Sequence, residues 1–457
     1  MWSPTLEAGT PKPAAIVRAL RRAIENGELL AGTRLPPHRD LAHALGVNLS
    51  TVTRAMNDAR REGLIAAEVG RGTYVMPTSD AATIFAQTIS RKELTDLSSI
   101  SPPPLGAELI RAAMCEVVAD EPDITGYPQM HHLCAGSDAV VDWFRWRGME
   151  VLRDRVALTA GAQAALHAVL SCAMRPGETL LVEEFTFPGV KSIAKVLGLR
   201  LHGVACDHEG LLPDALEQAI GATQARAIVA VPNLQNPTGS TMLPPRRQLI
   251  ARILDRHGLL LIEDDVYGSY TDMPPLAAEV AGDHVVLSSL SKAVAPALRF
   301  GFIAGSHPVV QQLREDVSLS NWPIALLSLL TASKLIFSGE AMQLARQQSA
   351  VLHQRWQIAR SVFPIKQRPA THIWLKVANA RGFAEAARAK GVLVIPGPYF
   401  ATSSHQPEFI RASLCGATEP AELREGLAVL SRLGAEVASG DDPALSNCQM
   451  RCQEGFS

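Results

Sequence analysis

Aromatic side chains are scarce in this chain: Phe, Trp and Tyr make up 5% of its 457 residues, and charged residues only 19%. Long apolar runs are missing too. None approaches the roughly 18 residues of a membrane-crossing helix, so no such helix is expected. The opening stretch, "MWSPTLEAGTPKP", lacks the charged-then-apolar layout of a secretory signal. The seven cysteines, at 115, 134, 172, 206, 415, 448 and 452, are odd in number and follow no framework spacing. That argues against a disulfide scaffold and suits a reducing cytoplasm. Cys448 and Cys452 form a C-x3-C in the tail that reads as incidental, and no metal site is expected. A net charge of -2 means that any basic surface must be local.

What is present is enough apolar residue, 47%, for well-packed cores. The length predicts about two to four domains. Residues 12–76 read as a small independent unit. In "AAIVRALRRAIENGEL" Ile16, Leu20, Ala23 and Ile24 share a helix face, and Gly27 stands where a stop is expected. "LPPHRDLAHALGVNLSTVTRAMNDARREGLI" then reads as two short helices. Pro37 suits a helix start, Leu41, Ala42 and Leu45 a buried stripe, and Gly46 the tight turn between the helices. Val47 plugs the core, Asn48 stands at the cap of the second helix, and Val52, Ala55 and Met56 face inward. This is helix-turn-helix geometry. "LIAAEVGRGTYVM" follows as two short strands around a basic tip. Arg39, Arg54 and Arg71 would lie on that side and attract phosphate, while exposed polar side chains of the second helix reach base edges. The plainer alternative is an interaction bundle with solvated arginines.

The separated motifs "GTRLPPHRDLAHALGV", "STVTRA", "EGLI" and "GRGTYV" occur in the order of the GntR regulator family, and the stretch from Ile16 to Val75 resembles its winged helix. The resemblance implies that the second helix enters the major groove and the wing touches the minor groove. The contacts it carries over are Arg39, Asn48, Ser50 and Thr51, with Gly70, Arg71 and Gly72 at the wing tip; Arg54 joins them as a DNA contact on its charge alone. Leu49 stands where that family often has arginine. Residues 77–96 are polar and pattern-poor and read as a linker. Residues 97–436 form the large domain, and 437–457 a tail.

In the large domain "RVALTA", "TLLVEE", "RAIVAVPN", "HGLLLIEDD" and "HVVLSS" read as apolar strands alternating with helices. The fold class is α/β, with a mostly parallel sheet covered on both faces. Ligands bind beyond the carboxyl ends of such strands. Those ends carry Gly161, Ala162 and Gln163, then Phe187, Asn236, Asp264 with Tyr267, and Lys292. A surface lysine is the ordinary explanation of Lys292, but the set as a whole matches the needs of pyridoxal 5'-phosphate. The aldehyde needs a lysine amine, here Lys292, and the ring nitrogen needs a buried carboxylate, here Asp264. Asn236 and Tyr267 suit the phenolate oxygen, and Phe187 suits stacking on the ring. The phosphate needs a helix N-terminus and a cation, which residues 161–163 and Arg299 supply with hydroxyls from Ser289 and Ser291.

From about residue 96 to the 430s the chain resembles a fold type I aminotransferase, through "TAGAQAAL", "VPNLQNPTGS", "EDDVYGSY", "SLSKAVAPALRFGF", "THIWLKV" and "GVLVIPGPYF" in family order. The resemblance implies that Arg411, in "PEFIRASL", grips a substrate or effector carboxylate; its plainer reading is a surface arginine. It also implies that Tyr127, in "ITGYPQM", reaches the phosphate of the other subunit, hence a homodimer. Departures stand at "AGSDAVVDWFRWRG" and "SSISPPPLG". A GntR-type reader fused to such a body is similar to the MocR regulators. That resemblance implies a cytoplasmic transcriptional regulator with double-stranded operator DNA as partner. It would sense pyridoxal phosphate, or an amino compound that forms an external aldimine with it. The alternative is an active aminotransferase working on an amino acid and a 2-oxo acid; a scaffold without cofactor is a third reading.

Overall fold

Ile16, Leu20 and Ala23 recur at helical spacing and put one stripe of helix α1, Lys12–Glu25, into a core. The computed structural model describes residues 2, 4, 11–25, 29, 33–61, 64–68, 72–75, 94–320, 324–403 and 407–439. Helix α2, His38–Leu45, starts after Pro37 and closes on Gly46, whose φ of 59° is the left-handed turn that glycine adopts without penalty. Helix α3, Leu49–Arg61, begins after Asn48, whose carbonyl accepts from the N–H of Thr51 and of Val52. Leu41, Val52, Ala55 and Met56 join the α1 stripe in one core, and Val47 packs against it. Two antiparallel strands, Ile65–Glu68 and Gly72–Val75, form the wing, and Arg34 bridges to Tyr74 on its free side. Gly27, Gly70 and Arg71 lie outside the described residues, as do Cys448 and Cys452.

The large domain is built on a seven-stranded sheet. Its order runs Val156–Thr159, Gly301–Gly305, His284–Ser289, Leu260–Asp264, Ala227–Ala230, Thr179–Glu183, Arg200–Val204. All neighbours are parallel except Gly301–Gly305, which runs against both of its partners. Alternation along the strands feeds two cores. Leu181, Ile228, Leu261, Val286 and Phe302 face one, while Val182, Val229, Ile262, Leu287 and Ile303 face the other. The five strands expected from sequence are all present; Arg200–Val204 at the edge and Gly301–Gly305 inside the sheet were not anticipated.

A smaller lobe follows. Strands His372–Lys376, Phe409–Ser413 and Ile395–Pro396 make an antiparallel sheet. Trp356, Phe383, Ile373 and Leu427 fill its core with Leu97. The chain enters the domain in this lobe: Thr95–Asp96 pairs in parallel with Val392–Leu393. Thr95 and Asp96, expected in the linker, are therefore strand, and the last helix, Pro420–Ser439, runs past the expected boundary at 436. Among the described residues no helix is long and apolar enough to cross a membrane.

Candidate functional site

The sheet register gathers the expected residues at one edge. Asp264 ends its strand, Gly161 follows Val156–Thr159, and Lys292 sits in the short helix Leu290–Ala293 directly after His284–Ser289. Because Gly301–Gly305 lies between those last two strands, Arg299 arrives beside Gly161. Arg299 takes a left-handed φ of 47° and its Nη2 donates to the carbonyl of Ala160 at 2.9 Å. A Cβ on Gly161 would stand 2.5 Å from that Nη2, so any side chain here would push the guanidinium from this position. Ser289 Oγ accepts from the Ser291 N–H, while Ser291 Oγ is buried without a hydrogen-bond partner. Helix Ala162–Ala173 begins here, and its first-turn N–H groups have no partners within the helix. A helix N-terminus, a guanidinium and an orphaned hydroxyl form a cradle for an anion. Gln163 Nε2 donates to Gly189 O at 3.3 Å, and a Cβ on Gly189 would meet both Phe187 and Gln163. Phe187 is thereby held next to the cradle.

Lys292 Nζ donates to the carbonyl of Ile100, and the Lys292 carbonyl accepts from Tyr270 Oη at 2.7 Å. Burial pulls the amine down to about 8. Burial pushes the Asp264 carboxyl up to about 6, opposed by the N–H of Val266 donating to it and, more weakly, by Lys292. The buried Tyr267 phenol is pushed well above its ordinary value, so it stays a donor. Arg411 is not a surface residue: it is 4% exposed. Its Nη1 donates to Asn236 Oδ1 at 2.8 Å, its Nη2 to Ser98 O, and its guanidinium lies over the Phe400 ring at 5.0 Å. Its Nε has no partner, and burial lowers its pKa to about 10. A buried cation with a spare donor, next to Asn236 and near Lys292, suits a carboxylate.

Nothing in the sequence pattern marked the support behind Asp264. Asp265 accepts from Asn233 Nδ2 at 2.9 Å and pairs with Arg147 Nε at 3.5 Å, both buried. Arg147 also donates to the carbonyls of Thr271 and Met273, and Arg247 to Asn233 Oδ1 and Pro274 O. This network fixes the loop that carries Tyr267. The available signals were the second aspartate of "EDD" and the second arginine of "FRWRG". His372 was missed too. Burial drives it down to about 3, so it is neutral, and its ring joins Gln235 O at 3.1 Å to the Thr371 hydroxyl at 2.9 Å. It ties the smaller lobe to the loop bearing Asn236.

In the small unit, Arg39, Asn48, Ser50 and Arg54 are exposed, and Thr51 is half-buried. Gly72 opens the second wing strand. Tyr127 is 79% exposed on the loop before helix Met130–Trp146.

Two family models match. One described as "Aminotransferase class I and II" covers residues 93–430, and one described as "Bacterial regulatory proteins, gntR family" covers residues 13–75. An uncharacterized HTH-type transcriptional regulator of Bacillus subtilis (strain 168), YdeF, is 28% identical over 450 residues, 94% of this chain and 96% of the relative. The vitamin B6 salvage pathway transcriptional repressor PtsJ of Salmonella typhimurium is 27% identical over 355 residues, 72% of this chain and 80% of the relative. An archaeal alanine:glyoxylate aminotransferase superposes with a TM-score of 0.72 at 21% identity, covering 83% of this chain and 98% of that one, a likeness of fold.

Proposed function

The chain belongs to the aminotransferase class I and II family and carries a gntR-family domain at its head; from that premise we propose a DNA-binding transcriptional regulator that holds pyridoxal 5'-phosphate in the large domain. The unpartnered Ser291 hydroxyl and the glycine-lined cradle under Arg299 fit the cofactor's phosphate. Residues 161–163, Ser289, Ser291 and Arg299 would hold it, with Phe187 against the ring and Asn236 and Tyr267 toward the phenolate oxygen. When bound, the cofactor supplies an aldehyde for an amine and a protonated pyridine that withdraws electrons. Lys292 is the amine: at about 8 its pKa leaves part of it neutral near pH 7. The Asp264 carboxylate would hold the proton on the ring nitrogen.

One observation supports sensing in particular. Lys292 and Arg411 both donate to carbonyls of one short segment, Ile100 and Ser98. That segment follows strand Thr95–Asp96, where the chain arrives from the reader. An effector with a carboxylate for Arg411 and an amine that displaces Lys292 would compete for both hydrogen bonds and so act on the root of the linker. We place the working unit as a cytoplasmic homodimer, with Tyr127 reaching across to the partner, the reader at 12–76 and the sensing domain at 97–436. Coupling must be reciprocal: operator DNA shifts effector affinity by the factor with which effector shifts DNA affinity. Titration of the full-length protein on its own upstream DNA, with and without pyridoxal phosphate and candidate amino acids, tests this. A DNA affinity and footprint indifferent to all of them removes the sensing role.

An active aminotransferase is the second reading, favoured by the completeness of the Lys292, Asp264, Tyr267 and Arg411 set. Steady turnover of an amino acid with a 2-oxo acid at about 1 per second or faster would support it.

A further inference from the structure

One residue breaks the polar pattern of the reading helix. Helix α3 buries Val52, Ala55, Met56 and Ala59, so Leu49, Ser50, Arg54 and Asn57 line the face turned away from the core. Leu49 is 44% exposed and takes no part in the apolar cluster of the small unit. It is also the first residue of α3, the end of a reading helix that meets base edges. A branched apolar side chain there has no hydrogen bond to offer, and among base edges of the major groove the apolar projection it matches is the C5 methyl of thymine. Ser50 and Arg54 beside it supply the polar contacts that fix the helix in register.

We infer that Leu49 is a specificity-determining residue that reads one thymine methyl in each half-site. The inference rests on the DNA-reading role proposed above and adds the base identity to it. In the test, duplexes are selected from a random library by the full-length protein saturated with pyridoxal phosphate. Each thymine of the selected site is then replaced in turn by deoxyuridine, which removes only the methyl. At one thymine per half-site the wild-type protein should lose about fourfold in affinity, the worth of one buried methyl. Leu49→Ala should bind thymine and uracil equally at that position while keeping its other preferences. Alanine is the strongest helix former and the site lies outside the core, so the helix persists. Leu49→Arg should move the preference there to guanine.

A wild-type protein indifferent to deoxyuridine at every position overturns the inference, as does a Leu49→Ala protein that retains the loss. If Leu49→Ala instead changes self-association in sedimentation while the thymine–uracil ratio stays put, the leucine belongs to a chain–chain contact and the inference falls. Enrichment of no DNA at all by the wild-type protein would remove the DNA-reading role itself, an outcome distinct from the others.

Discussion

The ammonium of Lys292 donates to the carbonyl oxygen of Ile100, 192 residues earlier in the chain. Two residues before Ile100, the carbonyl of Ser98 receives the guanidinium of Arg411. The segment is itself well anchored. Asp96 accepts from the backbone and hydroxyl groups of Ser98 and Ser99, and Leu97 is fully buried. Two cations suited to an effector thus share a backbone that continues, a few residues upstream, into the linker.

The lysine carries a stability cost that can be measured. Burial lowers it from 10.5 to about 8, so the unfolded chain holds its proton where the folded chain does not. Stability from this group therefore rises with pH between about 8 and 10.5, and below 8 the charged amine is a burden. Lys292→Met should raise the melting temperature of the cofactor-free protein at pH 7 by about 2 °C or more, with the gain fading above pH 10. The same variant should keep only the part of the stabilisation by pyridoxal phosphate that the non-covalent contacts supply, a smaller shift than the wild type shows. Scanning calorimetry across this pH range, with and without cofactor, decides both points.

Asp264 has the opposite sign. Its carboxyl, raised from 3.8 to about 6, favours the folded state most fully below 3.8, and that contribution is lost as pH climbs through 6. A protonated pyridine needs the carboxylate, so cofactor affinity should gain up to about tenfold per unit as pH rises toward 6. Asp264→Asn should flatten that portion of the profile. Equilibrium dialysis at several pH values between 5 and 8 distinguishes the two behaviours.

Arg411→Ala should leave cofactor binding largely intact and weaken the response to amino acids. A hydrogen bond to a charged group contributes about 1.5–3 kcal/mol, or about ten- to 150-fold in affinity. Spectral titration of the cofactor-loaded protein with amino acids reads the change. An unaltered response would show that the effector's carboxylate is held elsewhere.

The pair of Arg147 with Asp265, at 3.5 Å and buried, should matter to stability more than to chemistry. Arg147→Met leaves Asp265 with Asn233 alone and an uncompensated charge, a loss of about 3–5 kcal/mol. Urea denaturation at saturating pyridoxal phosphate measures it; a loss under about 1 kcal/mol would show that Asn233 suffices.

Arg54→Ala should weaken binding to specific and unrelated DNA alike and lower the salt slope by about one, if its contact is to phosphate. A loss confined to one base position would make it a base reader instead.

Much of this was legible in the residues. Apolar runs ending in Asp264 and in Ser289 before Lys292 announced parallel strands with chemistry at their tips, because a strand buried on both faces reads as a continuous apolar run. Arg200–Val204 escaped because an edge strand is only partly buried, and its pattern is mixed. Gly301–Gly305 escaped because five residues bounded by glycines carry no period of their own. Arg147 and Asp265 stand 118 residues apart and meet only through the tertiary fold. Arg411 was marked by the family resemblance alone; its own stretch reads equally as a surface arginine, and only the fold shows it buried.

Gly161 offers geneticists a handle. With φ at 103° and Arg299 where a side chain would go, any replacement both strains the turn and evicts the guanidinium. An allele such as Gly161→Ala would keep the reader intact while making it deaf to the cofactor. Whether the target promoters then fall silent or stay lit in living cells would reveal which form of the protein switches them.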